Sequence, residues 1–201
     1  METELNLQSN VLWSRITGIC PDFVLDKDTE TAIDALRLYF SADPAFEGKG
    51  FGKLAKGLFL AGNVGTGKTL IMTAAAGNPR KPFRVIPTNR IAGYYQTQGI
   101  EGIERFFNGS QPTLGVGPAA YCFDDLGAEN MSARYMGNEL NVMAEIILER
   151  YSNKHFIPFH YTHFTTNLTQ EEIINLYGTR IHSRLKEMCN VIVLKGTDKR
   201  K

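Results

Sequence analysis

Residues 58–69 read LFLAGNVGTGKT, a short apolar run followed at once by a glycine-rich octet that closes on lysine and threonine. The octet fits the phosphate-loop pattern G-x-x-x-x-G-K-[ST] through Gly62, Asn63, Val64, Gly65, Thr66, Gly67, Lys68 and Thr69. Glycines let a backbone curl around a polyphosphate with its N–H groups pointing inward. In this pattern the lysine reaches the β- and γ-oxygens and the threonine hydroxyl ligates Mg²⁺. The apolar run predicts a strand over Gly57 to Ala61, and Lys68 to Ala76 a helix whose positive N-terminal end faces the phosphates. The full octet after an apolar strand sets the stretch apart from a glycine-rich turn that merely links strand to helix. A nucleoside triphosphate site is expected here.

The rest of the composition fits a protein built around such a loop. At 201 residues, 43% of them apolar and with a net charge of +1, the chain is long enough for one domain with a substantial core. Near-neutrality argues against wrapping in nucleic acid by bulk charge but leaves room for a local basic groove. The three cysteines, Cys20, Cys122 and Cys189, lack metal-ligand spacing, and their odd number suits a reducing cytoplasm. No apolar stretch is long enough to span a bilayer, and METELNLQ at the start is polar and acidic. A cytoplasmic protein is expected.

Along the chain, residues 1–28 read as an arm that packs on the ATPase domain of residues 29–201. Thr29 to Phe40 carries a helical stripe, and residues 41 to 55 are loop-like. Strands are expected at Phe83 to Ile86, Ala120 to Phe123, Phe159 to Thr165 and Val191 to Leu194. Helices are expected over Arg90 to Phe107, interrupted near Gly99 and Gly102, and over Ser132 to Tyr151. Thr169 with Glu172 forms a capping box for a short helix through Leu176, and a further helix covers Thr179 to Met188. Alternating strands and helices predict an α/β fold, a five-stranded parallel sheet between helical layers.

Hydrolysis needs a metal anchor and a group to position water. The run YCFDDLGAE, residues 121–129, brings Asp124 to the C-terminal edge of the sheet as a candidate Mg²⁺ ligand, with Asp125 beside it to polarise the attacking water. The strand ending FTTNL offers Asn167 for the γ-phosphate or the water. In TRIHSRL, Arg180 and Arg184 are four apart and share a helix face. His160 and His163 are placed on opposite faces of a strand, and surface or supporting positions are expected for the histidines.

In this order, GNVGTGKT, FDDLGAE, FTTNL and TRIHSRL resemble the AAA+ ATPases, and within them the DnaC-type helicase loaders and IstB-type transposition ATPases. The resemblance spans roughly residues 55–200. It implies a P-loop NTPase three-layer sandwich with sheet order 5-1-4-3-2, Asp124 and Asp125 as metal and catalytic acids, and Asn167 as sensor 1. It also implies Arg184 as an arginine finger acting in trans, with Arg180 in support. Asn89, at the end of strand two, matches the position that couples DNA binding to the catalytic acid in some members. The helical segment after strand two faces the central channel in the family. Here it holds Arg90, Tyr94, Tyr95, Arg105, Phe106 and Phe107.

The chain departs from the family in three places. Asp125 stands where most AAA+ proteins have glutamate. After Leu194 there is no room for the C-terminal lid, although Arg200 in G-T-D-K-R resembles the loader group's terminal G-x-S-x-R. Residues 1–28 are too few for a separate helicase-binding domain. The function implied is slow, assembly-dependent ATP hydrolysis with ATP and Mg²⁺. It goes with self-association into a ring or filament and with single-stranded DNA and a replicative helicase or mobile-element protein as partners. The alternatives are an ATP-loaded adaptor that does not hydrolyse and an IstB-like transposition regulator. Nothing like the GTPase N-K-x-D signature is present, so ATP is the expected nucleotide. A small-molecule kinase is disfavoured, because nothing between strands four and five is long enough for its arginine-bearing lid.

Overall fold

The computed structural model describes residues 11–108, 120–196, 198 and 199, with main chain only at Asp28 and Asn108. Helices α1 (Val11–Ile19), α2 (Lys27–Phe40) and α3 (Ala45–Gly48) lead into β1 (Gly57–Gly62) and α4 (Lys68–Ala76). Then come β2 (Arg84–Pro87), α5 (Thr88–Gln98), α6 (Ile100–Asn108) and β3 (Tyr121–Leu126). A hairpin of β4 (Ala133–Tyr135) and β5 (Asn138–Leu140) precedes α7 (Val142–Ser152). The described chain continues through β6 (Thr162–Thr166), α8 (Gln170–Met188) and β7 (Cys189–Leu194).

Five strands form one parallel sheet in the order β2-β3-β6-β1-β7. With the hairpin left out of the numbering, this is the expected 5-1-4-3-2; counted in full chain order the numbers differ. β1 occupies an interior position and reads as a continuous apolar run because both of its faces are covered. Leu58 and Leu60 turn to one face and Phe59 to the other, so alternate residues serve two separate cores. One core holds α1, α2 and α4, and the other α5 to α8. Among the described residues, no helix is long and apolar enough to cross a membrane.

The expected helix over Ser132 to Tyr151 is corrected. Its first half is the β4–β5 hairpin, turned by Met136 and Gly137, which both have positive φ (47° and 84°). Two consecutive left-handed residues match the twist of a tight hairpin. Helix α7 begins only after Asn141, whose side chain caps it by accepting from Ala144 N at 3.0 Å. The helix expected over Arg90 to Phe107 is broken at Gly99, giving α5 and α6. The capping box at Thr169 and Glu172 is present, and Gly178 (φ 84°) kinks α8 between the two segments expected there.

His163 also departs from expectation. It is fully buried, accepts a hydrogen bond from Leu58 N at Nδ1 (3.1 Å) and packs among Tyr39, Phe40 and Phe83. Burial, followed by the nearby Lys81 charge, holds it neutral with a pKa of about 3.

Candidate active site

The octet folds as the turn between β1 and α4. Gly67 is the N-cap of α4 with φ 92°, a conformation that costs a glycine nothing and strains a residue bearing Cβ. A Cβ there would also lie 2.6 Å from the Phe23 ring. Thr66 is buried, and its hydroxyl donates to Asn63 O at 2.9 Å, pinning the loop's own curl. Lys68 points back into the loop. Its ammonium donates to Gly62 O and Asn63 O at 2.7 Å each, and to Asn167 Oδ1 at 2.6 Å. Asn63 and Val64 are exposed at the loop's rim.

The facing wall comes from a β-bulge. Phe123 pairs with Phe164, but the next matched pair is Leu126 with Thr166, so Asp124 and Asp125 together oppose Thr165. A bulge adds one residue to one strand and re-aims the side chains there. Asp125 adopts φ 57°, a left-handed conformation that aspartate tolerates better than most residues. Thr165 ties both acids down. Its hydroxyl donates to Asp124 Oδ1 at 2.6 Å and accepts from Asp125 N at 2.9 Å.

Asp124 is buried beneath the loop, and the Thr69 hydroxyl donates to its carboxylate at 3.0 and 3.1 Å from the two oxygens. Burial raises the Asp124 carboxyl above its ordinary range, against hydrogen bonds from Thr165 and Thr69 that lower it. A carboxylate whose charge is disfavoured by burial, with a hydroxyl in contact, suits a cation. Among the described residues no group of three or more His, Cys, Asp or Glu could hold a metal by itself. Thr69 and Asp124 are the residues that could hold Mg²⁺, which usually takes one or two protein oxygens and completes its shell with phosphates and water.

Asn167 bridges the two halves. It accepts from Lys68 and donates through Nδ2 to Asp125 Oδ1 at 3.0 Å. Lys68, Thr69, Asp125 and Asn167 line a cavity of about 530 Å³, walled elsewhere by Phe23 and Lys199.

The arginines lie elsewhere. Arg184 is outside the cavity lining. Its guanidinium donates to Tyr151 Oη at 2.9 Å, sits 4.0 Å from that ring's centroid and lies 3.8 Å from Glu187. Arg180 is exposed. Arg200 lies outside the described residues. Thr88, not Asn89, reaches the turn at Asp124 and Asp125, its hydroxyl donating to Asp125 O at 2.8 Å, while Asn89 is exposed. Of the aromatics between β2 and β3, Tyr95, Phe106 and Phe107 are buried in the core. Tyr94 instead shares a cleft of about 210 Å³ with Arg84, Arg90 and Arg105.

No protein-family model matches the chain, and no curated protein sequence matches it either. Solved structures do. The chain is similar to the DnaC helicase loader with a TM-score of 0.57 and 20% identity, over 85% of this chain and 92% of that one. It is similar to a candidate primosome component from Streptococcus pyogenes serotype M3 with a TM-score of 0.60 and 18% identity, over 90% and 87%. The chain therefore shares the α/β fold of these two proteins.

Proposed function

We propose that the chain is an ATP-binding P-loop ATPase of the AAA+ type, within the DnaC-type helicase loader and IstB-like group. In this reading it hydrolyses ATP slowly, when assembled, and works with single-stranded DNA in replication assemblies. The carrying observation is the continuous network Lys68–Asn167–Asp125 beside Thr69–Asp124–Thr165, open to a cavity of nucleotide size.

In this mechanism the loop amides and Lys68 grip the phosphates, and Lys68 exchanges its carbonyl acceptors for phosphate oxygens. Mg²⁺ bound at Thr69 and Asp124 would neutralise charge on the β- and γ-oxygens. Asp125 keeps one oxygen on Asn167 and turns the other to the attacking water, taking its proton as the water oxygen bonds the γ-phosphorus and the bond from that phosphorus to the bridging β-phosphate oxygen breaks, releasing ADP and phosphate. Asn167, held by Lys68, reports the occupancy of the loop to Asp125. Arg184 lies outside the cavity's lining, and this reading assigns it as an arginine finger acting in trans on a neighbour's nucleotide in a head-to-tail ring or filament. Arg84, Arg90 and Arg105 around Tyr94 have no ion pair among the described residues; the Arg105 and Arg90 guanidinium carbons lie 4.3 and 5.8 Å from the Tyr94 centroid. They supply the backbone-tracking charge and stacking face of a single-strand site.

The test is ATP turnover across a wide range of protein concentration, with and without single-stranded DNA, alongside light scattering with an ATP analogue. A rate per chain that climbs with concentration, together with growth in mass, is expected. The short carboxylate of Asp125, where most AAA+ proteins have glutamate, favours a second reading, an ATP-loaded adaptor that does not hydrolyse. Tight nucleotide binding with no turnover at any concentration would select it.

A further inference from the structure

In the reading above, Lys68, Asp125 and Asn167 receive the terminal phosphate. The wall that carries none of them falls to the nucleoside, and it is built by two segments distant in sequence. One precedes α2 and includes Asp22 and Phe23; the other follows β7 and contributes Lys199.

These segments meet on the phosphate loop. Lys199 N donates to Gly65 O at 2.9 Å. A Cβ on Gly65 would lie 1.9 Å from Asp198 Oδ1, so that carboxylate leans on a loop residue that must stay glycine. The Lys199 side chain then crosses to the turn before α2. Its ammonium donates to Val24 O at 2.7 Å and to Thr29 Oγ1 at 2.5 Å, and lies 2.7 Å from Asp26 Oδ2. It also sits 4.9 Å from the centroid of Phe23, whose ring presses on Gly67. The side chain is only 6% exposed. Asp26 is the N-cap of α2, and its other oxygen accepts from Thr29 N and Thr29 Oγ1 at 2.8 and 2.7 Å. Burial raises the Asp26 carboxyl, but hydrogen bonds from Lys199 and Thr29 and the Lys199 charge outweigh it and hold the pKa at about 2.

We propose that Lys199 and Asp26 form a clasp that fixes the nucleoside wall against the phosphate loop, making them positioning residues for nucleotide binding. The proposal rests on the nucleotide-site reading above. Lys199 thus ties its own segment to two others, to the phosphate loop through its main-chain N–H and to the turn before α2 through its ammonium. Without it, the segment loses its side-chain ties to Val24, Asp26 and Thr29, and Phe23 loses the cation over its ring. A nucleotide would then have to order the wall as it binds, and that ordering cost appears directly as lost affinity.

The test measures binding of MgADP and of inorganic pyrophosphate to the full chain. It compares wild type, Lys199→Met, Asp26→Asn and the double variant, all at a temperature where melting curves show each fully folded. Asn caps helices about as well as Asp, so Asp26→Asn removes the charge and keeps the cap. The clasp predicts about tenfold weaker MgADP binding in each single variant and no further loss in the double. Pyrophosphate, which lacks the nucleoside, should bind all four alike. Unchanged MgADP affinity in both single variants overturns the clasp while leaving the nucleotide site standing. Equal losses for MgADP and pyrophosphate overturn it too, because they would mark damage to the loop itself. Failure of the wild-type chain to bind either ligand overturns the underlying site reading.

Discussion

At the loop end of the molecule, Lys68, Asn167 and Asp125 form one hydrogen-bonded chain and Thr69, Asp124 and Thr165 another, all within a single subunit. On the second half of α8 the situation is reversed. Arg180 is exposed, and Arg184 rests against Tyr151 and Glu187, outside the cavity that the other groups line. Lys68, Asp124 and Thr165 are buried, and the whole set is joined by hydrogen bonds within the chain, so its geometry is set by folding. Past the Gly178 kink, Arg184 is held by a phenol and a partly exposed carboxylate rather than by the groups of the loop. In the reading proposed here, that contrast separates what one chain does from what needs a second copy, with binding in the first region and rate in the second.

The largest effect should come from the arginine side. Arg184→Ala is expected to lower turnover of the assembled protein on the order of a thousandfold, with nucleotide affinity nearly unchanged. Steady-state rates together with direct nucleotide titration check it. If affinity falls as much as rate, Arg184 acts within its own subunit and the division between the regions breaks.

Next in size is the loop. Lys68→Ala removes charge-assisted hydrogen bonds to phosphate, and each such bond is worth up to about 3 kcal/mol. MgADP binding should weaken on the order of a hundredfold. Calorimetric titration reads this directly. A loss of tenfold or less would mean that the loop amides, rather than the lysine, dominate the grip.

The contrast also explains what could be read from sequence. The loop is a contiguous motif in which every position has its own steric or charge requirement, so Gly62 to Thr69 and the helix Lys68–Ala76 were legible together. Asp124, Asp125 and Asn167 sit at strand ends, where the sheet brings them to one edge. Thr165 was not legible. Its role comes from the bulge that sets two acids against one threonine, and nothing in YCFDDLGAE or FTTNL marks a register shift. The β4–β5 hairpin was missed because Leu140, Met143 and Ile147 keep a helical spacing across its end, and the Met136-Gly137 turn lacks the usual Asn-Gly or Asp-Gly pair. Lys199 was out of reach for a simpler reason. Its partners Asp26 and Thr29 lie more than 150 residues away, and short-range patterns do not report such pairs.

The smallest effect probes the cost of keeping the loop region ready, and it tests Asp124 without any ligand. Burial raises this carboxyl's pKa, so the folded state holds the proton more tightly than the unfolded chain does. At low pH both states are protonated and the residue carries no penalty. As pH rises past the ordinary carboxylate range, the unfolded chain ionises first, and stability falls until the folded carboxyl has ionised too. Asp124→Asn removes that penalty. The nucleotide-free variant should melt a few degrees higher than wild type at neutral pH, at about 2–4 °C per kcal/mol for a chain of this size. The gap should shrink as pH is lowered toward 4. With MgADP present the order should reverse, because wild type gains from the bound metal and the variant does not. Melting curves from pH 4 to 8, with and without MgADP, separate the cases. A variant less stable than wild type at neutral pH in the absence of nucleotide would show that the hydrogen bonds from Thr69 and Thr165 outweigh the buried charge. The loop region would then be at rest without its ligand, as the arginine region is without its neighbour.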